Sequence, residues 1–136
     1  MLDRYTPTPT QLKSAVGYTI LIVDDDVWFR RLVSTLLEKT PYRLIEAKDG
    51  IEGIARLQSG PVDLLMTDIV MPGLGGLATI DAVRTAFPGM KILAVSGVRD
   101  KEYHLRAAEM LGADATLKKP ITRESLLETL SRLAQS

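Results

Sequence analysis

From residue 19 onward, strand-like and helix-like segments alternate five times along this 136-residue chain. The strand-like segments cover residues 19–23, 42–47, 62–67, 91–95 and 114–118, and those at 19–23 and 91–95 are nearly continuous apolar runs. Each gap between them is long enough for a helix that crosses over and returns the chain parallel to the strand before it. The alternation therefore predicts one α/β domain, with a parallel sheet covered by helices on both faces.

The predicted helices follow from apolar residues that recur every three or four positions. In the first helix, Phe29, Leu32 and Leu36 lie on one stripe that faces the sheet, while Arg30 and Arg31 face solvent. Four more helices are predicted to begin near residues 50, 77, 100 and 123, each after a capping or turn residue. The strand at 42–47 alternates more than the others, which indicates a place near a sheet edge.

The segment before residue 19 differs from the rest of the chain. Residues 6–10 alternate Thr and Pro, and no apolar period is sustained up to residue 18. Such a composition is typical of an extended or mobile tail, so we assign residues 1–18 no core role. The predicted organisation is a tail over residues 1–18 and one folded domain over residues 19–136.

Composition excludes several classes of function. Lys plus Arg (17) equals Asp plus Glu (17), so no overall field recruits nucleic acid or an anionic membrane. The chain has no cysteine, which excludes a disulfide framework, a thiolate nucleophile and a sulfur metal site. No signal core is visible, and no apolar run approaches the roughly 20 residues that cross a bilayer. We therefore expect a soluble, cytosolic protein.

Polar residues follow the apolar strands at the point where each strand ends. Asp24 and Asp25 come after the first strand, Asp68 after the third, Ser96 after the fourth and Lys119 after the fifth. In an open parallel sheet the carboxyl ends of the strands face one crevice, so these side chains are predicted to converge. Carboxylates, a hydroxyl and an ammonium together suit a divalent cation and a phosphoryl group.

The same residues carry a family resemblance. The run from Ile20 to Asp26, then Asp68 with Met71-Pro72-Gly73 after it, then Ser96-Gly97 and Lys119-Pro120, resembles the response regulator receiver domain of bacterial two-component signalling. The resemblance covers nearly all of residues 19–133, and the chain is similar to the stand-alone, chemotaxis-regulator-like class. It implies a flavodoxin-like, doubly wound sheet of five parallel strands in the order 2-1-3-4-5, with five helices.

The resemblance also implies roles for individual residues. Asp68 would accept a phosphoryl group from a histidine kinase or a histidine phosphotransfer protein, forming an acyl phosphate. Lys119 and Ser96 would contact that phosphoryl group. The implied cofactor is Mg²⁺. Its implied ligands are the carboxylates of Asp25 and Asp68 and the backbone carbonyl of Val70, with Asp24 acting through a metal-bound water.

The implied protein is a signalling module rather than an enzyme, although it assists its own phosphorylation and dephosphorylation. Its output would be a contact with a downstream protein through the fourth helix, the fifth strand and the fifth helix, without nucleic acid or membrane, as a monomer or weak homodimer. Thr116 and Ile121 stand where the family usually has aromatic residues. Val70 and Val98 replace polar side chains that orient a hydrolytic water, which predicts slow loss of the phosphate.

Two other interpretations use the same residues. A degenerate receiver would bind partners as a scaffold without being phosphorylated, and the altered position 116 favours this reading. A haloacid-dehalogenase-like phosphatase would use Asp24 as nucleophile and Asp26 as acid, since the two form an Asp-x-Asp after a strand. That enzyme would not need Asp68 as an acceptor.

Overall fold

The parallel sheet is present, and its strand order is the predicted one. The computed structural model describes residues 4–97 and 100–136, and within them five parallel strands lie in the order β2-β1-β3-β4-β5. The strands are β1 Thr19–Val23, β2 Arg43–Ala47, β3 Leu64–Asp68, β4 Lys91–Ser96 and β5 Ala115–Lys118. The flavodoxin-like, doubly wound fold is therefore confirmed, and β2 lies at a sheet edge as its pattern indicated.

Helices cover both faces of the sheet. The described residues form six of them: α1 Pro9–Ala15, α2 Val27–Leu36, α3 Gly50–Ser59, α4 Gly76–Ala86, α5 Glu102–Leu111 and α6 Arg123–Gln135. Alternate residues of the central strands enter opposite cores, because successive side chains of a strand point to opposite faces. Ile20 and Ile22 pack with Phe29 and Leu126, whereas Leu21 packs in the other cluster, with residues of α3, α4 and α5.

The N-terminal segment contains a helix, so the predicted count of five helices is one too low. Thr8 and Gln11 form a reciprocal capping box, in which each side chain accepts a hydrogen bond from the other's backbone N–H, and Pro9 occupies the first turn. Ala15 is fully buried in the core on the α2 and α6 side of the sheet. The expectation that this segment has no core role is therefore wrong, while the division of the chain after residue 18 stays a prediction.

Arg123 fastens the N-terminal segment to two helices. Its Nε donates to the carbonyl of Tyr5 at 2.9 Å, and its two terminal nitrogens donate to the carbonyls of Leu36 at 2.5 Å and Glu38 at 3.0 Å. One guanidinium thus joins the segment before α1, the end of α2 and the beginning of α6. Among the described residues, none of the helices is long and apolar enough to cross a membrane.

Candidate functional site

Three carboxylates meet at the carboxyl edge of the sheet. Asp24 and Asp25 follow β1 and Asp68 ends β3, and each offers an oxygen that lies within 4.8 Å of the other two. Asp24 and Asp68 are buried, with 1% and 8% of their surface exposed, whereas Asp25 is open to solvent. The structure therefore brings together the three acidic residues that the sequence placed at strand ends.

Backbone N–H groups orient the two buried carboxylates. The N–H of Asp26 donates to Oδ1 of Asp24 at 2.8 Å, and the N–H of Ile69 donates to Oδ1 of Asp68 at 3.0 Å. Both contacts leave the second oxygen, Oδ2, facing Lys119. The carboxylate of Asp26 itself caps α2 by accepting from the N–H of Trp28 at 2.9 Å, so its side chain is engaged outside the cluster.

Lys119 supplies the positive charge. Its Nζ lies 3.0 Å from Oδ2 of Asp24, 3.8 Å from Oδ2 of Asp68, and 4.1 Å from the centroid of the Phe29 ring. The lysine follows β5 and precedes a cis peptide bond to Pro120. An ammonium with three donors is thus surrounded by two carboxylates and one aromatic face.

Burial makes the buried carboxylates weak acids. Desolvation raises the pKa of Asp68 to about 7; the neighbouring charge of Asp24 adds to the rise and that of Lys119 opposes it. Desolvation also raises the pKa of Asp24, against the hydrogen bond from Asp26 and the charge of Lys119. A divalent cation offsets this cost, because it favours the ionised form of every carboxylate beside it.

Ser96 lies at the same edge. It ends β4, is 2% exposed, and its carbonyl accepts from the backbone N–H of Lys119 at 2.9 Å, so the ends of β4 and β5 are tied together. Val70 follows β3, and its side chain is half exposed. Gly76 lets α4 begin directly against β3, since a Cβ at this position would overlap the carbonyl oxygen of Asp68.

The sequence-based reading missed three residues of the site. Arg30 was expected to face solvent, but its side chain is 15% exposed, and it donates to the Asp24 carbonyl at 2.6 Å and to Glu46 at 2.9 Å. Phe29 was assigned only to the core. Asp100, whose carboxylate accepts from the N–H of Gly97 at 2.8 Å, adds to the rise in the Asp68 pKa. The apolar stripe of the first predicted helix assigned Phe29 to the core and Arg30 to solvent, and it gave no sign that either reaches the site. No motif marked Asp100.

The structure shows the surroundings of two residues that depart from the family pattern, Thr116 and Ile121. Thr116 is a partly buried residue of β5, so no aromatic side chain occupies that position. Ile121 is 7% exposed and packs in the core on the α2 and α6 side. Val98, which was predicted to disfavour hydrolysis, lies outside the described residues.

Comparison with known proteins decides the family. Residues 20–131 match the family model described as the response regulator receiver domain. The chain belongs to this family. Its receiver is 29% identical over 113 residues to Protein PilG of Pseudomonas aeruginosa, covering 82% of this chain and 83% of that protein. It is 27% identical over 124 residues to chemotaxis protein CheY of Treponema pallidum, covering 89% and 85%.

A solved structure gives the same result for the fold. The receiver matches the Vibrio cholerae chemotaxis protein CheY4 with a TM-score of 0.79 and 30% identity, covering 85% of this chain and 98% of that one. The extra helix α1 lies before the residues that match the family model. This chain is therefore a CheY-like receiver domain of two-component signalling, and the carboxylates at its sheet edge are the family's phosphoacceptor cluster.

Proposed function

We propose that this receiver accepts a phosphoryl group on Asp68 from a phosphohistidine of a partner kinase or phosphotransfer protein, in the presence of Mg²⁺. The observation that carries the proposal is the position of Asp68. Its carboxylate ends a buried strand, has one oxygen fixed by a backbone N–H, and directs the other toward an ammonium. Asp24, the other buried acid, already forms the close pair with Lys119, so Asp68 is the better placed to react.

The chemistry requires little more than position and charge. An oxygen of Asp68 attacks the phosphorus, an O–P bond forms, and the P–N bond to the imidazole breaks, so the histidine of the partner is the leaving group. Lys119 and the hydroxyl of Ser96 would contact the oxygens of the transferred group. Because the transition state is loose, positioning and neutralisation supply most of the rate enhancement.

The donor set fits Mg²⁺. This cation usually takes one or two protein carboxylates, completes its octahedron with waters and phosphate oxygens, and neutralises the charge that develops on the phosphoryl group. Asp25, Asp68 and the backbone carbonyl of Val70 would hold it, with Asp24 acting through a metal-bound water. The exposure of Asp25 leaves one side of the cluster open for those waters.

The output is proposed to be a protein contact made by α5, β5 and α6. The backbone bond between Ser96 and Lys119 ties together the two strand ends that would respond to the phosphoryl group. In chain order, β4 is followed by α5 and β5 by α6. Thr116 cannot act as a bulky lever, so Ser96 and Lys119 are the clearest candidates for contacts that differ between the two states and shift their populations.

The test is phosphorylation by a small acyl phosphate with Mg²⁺, with the modified residue located by mass spectrometry. Asp68→Asn is expected to abolish the label. Asp26→Asn is the matched control, since Asn caps a helix as well as Asp and the label should persist. Label that survives Asp68→Asn but is lost in Asp24→Asn would support a phosphatase instead, because Asp24 is the nucleophile of that enzyme. A protein that takes no label and does not bind Mg²⁺ would support an unphosphorylated scaffold.

A further inference from the structure

The ring of Phe29 is a third neighbour of the Lys119 ammonium, besides the two carboxylates. Its centroid lies 4.1 Å from Nζ, well inside the roughly 6 Å within which an aromatic face attracts a cation. The lysine side chain is 20% exposed, so water weakens this attraction less than it would at an open surface. The contact is therefore an electrostatic one and not packing alone.

Phe29 is a fixed platform. It lies in the first turn of α2, is 8% exposed, and packs in the core with Ile121 and Leu126. Lys119, by contrast, has a flexible four-carbon stem that loses conformational entropy whenever its ammonium is held in one place. A rigid ring in contact with the ammonium can supply that restraint.

We propose that Phe29 is a positioning residue for phosphoryl transfer: its ring holds the Lys119 ammonium beside Asp68 once a cation has taken over Asp24. The proposal rests on the function proposed above. When Asp24 accepts from a metal-bound water, its 3.0 Å pair with Lys119 weakens, and the longer contact to Asp68 does not fix the ammonium alone. The attraction of the ring remains.

A ring face has a further advantage over a hydrogen-bond acceptor. It attracts the charge through its quadrupole and does not require an N–H to point at a lone pair. The three donors of Lys119 are then free to turn toward the oxygens of an arriving phosphoryl group. A carboxylate in place of Phe29 would instead compete with those oxygens.

The experiment separates ring electrostatics from ring size. Fluorine withdraws electron density from the ring face with little change in volume, so 4-fluoro-, 3,5-difluoro- and 3,4,5-trifluorophenylalanine are encoded at position 29. The rate of Asp68 phosphorylation by a small acyl phosphate at saturating Mg²⁺ should fall stepwise, by about three- to tenfold overall. The same substitutions at Phe87, the other phenylalanine of the chain and the C-cap of α4, are the matched control and should leave the rate unchanged.

A double-mutant cycle assigns the effect to the lysine. In Lys119→Met protein the residual rate should no longer respond to fluorination at position 29. A flat series at position 29, an equal fall at position 87, or a fall that persists without Lys119 would each overturn the proposal. A rate lost in Phe29→Leu with a flat fluorine series would mean a packing role only. If the unsubstituted protein takes no label on Asp68, the proposed function fails instead.

Discussion

The ammonium of Lys119 is paired with Asp24, at 3.0 Å, more closely than with Asp68, at 3.8 Å. The lysine therefore neutralises one of the carboxylates of the proposed metal site, so metal binding and this ion pair compete for Asp24. The proposed phosphoryl transfer, by contrast, uses the lysine next to Asp68.

Replacing Lys119 should consequently have opposite effects on two measurements. In Lys119→Met, Mg²⁺ is expected to bind about three- to tenfold more tightly, because the carboxylates lose a competing positive charge. The rate of Asp68 labelling should fall, because the phosphoryl oxygens lose their cation. Isothermal titration calorimetry measures the affinity for Mg²⁺, and a phosphorylation assay measures the rate of Asp68 labelling. Lys118→Met, an exposed change in β5, is the control, and weaker Mg²⁺ binding in Lys119→Met would contradict the competition.

Stability without metal should depend on pH through Asp68. Burial raises the pKa of its carboxyl from 3.8 to about 7. Between about pH 4 and pH 7 the carboxyl of Asp68 is protonated in the folded state and ionised in the unfolded state. The stability that this carboxyl contributes is therefore complete below about pH 4 and is lost as pH rises through 7. Asp24 acts in the same direction, because burial also raises its pKa.

Urea unfolding in the presence of a chelator measures this effect. The free energy of unfolding of wild type, relative to Asp68→Asn, should fall between pH 4 and pH 8 by up to about 4 kcal/mol. Saturating Mg²⁺ should remove most of the difference, because it favours the ionised form. If the free energies of unfolding of the two proteins change in parallel with pH, the surroundings of Asp68 do not raise the pKa of its carboxyl.

Arg30 is expected to set the affinity for Mg²⁺ without touching the cation. Its guanidinium donates to the backbone carbonyl of Asp24 and thereby fixes the turn that carries two of the proposed ligands. Arg30→Met should weaken Mg²⁺ binding by about three- to tenfold, because the turn loses a charge-assisted hydrogen bond, while the charge of Arg30, unlike that of Lys119, is already offset by Glu46. Calorimetry with Arg31→Met, the exposed neighbouring residue, gives the reference. Equal affinities in the two variants would exclude a positioning role for Arg30.

Val70 predicts a long-lived phosphorylated state. Its side chain is half exposed beside Asp68 and has no group that orients a water for hydrolysis. Val70→Asn should shorten the half-life of the acyl phosphate by about tenfold, a modest part of what a positioned polar group supplies. The same exchange at Val16, which is exposed and far along the chain from the site, should not change the half-life. Rapid spontaneous loss from wild type would contradict the prediction.

The fold was predictable because its determinants are local and repeated. Apolar runs at 19–23 and 91–95 predict strands buried on both faces, and an apolar stripe such as Phe29, Leu32 and Leu36 predicts a helix packed on a sheet. The helix α1 was missed for a specific reason. Thr and Pro over residues 6–10 suggest an extended chain, although Thr8 with Gln11 and an intervening Pro9 has the spacing of a capped helix.

The meeting of Asp24, Asp25, Asp68 and Lys119 was also predictable, since parallel strands end at one edge. Their partners were not. A periodic stripe tells which face of α2 is buried, but not that Phe29 lies under an ammonium or that Arg30 reaches back to a carbonyl. Such contacts depend on how α2 is placed relative to the residue after β5 and to the turn after β1, and a single sequence contains no signal for that geometry.

The guanidinium of Arg123 gives the segment before α1 a mechanical connection to the site. Arg123 is the first residue of α6, and only three residues separate it from Lys119. Traction on the amino-terminal segment, from a bound partner, would reach the helix that follows Lys119 through this guanidinium. A chain trimmed to begin at Thr19 would keep every carboxylate of the cluster and lose that tether.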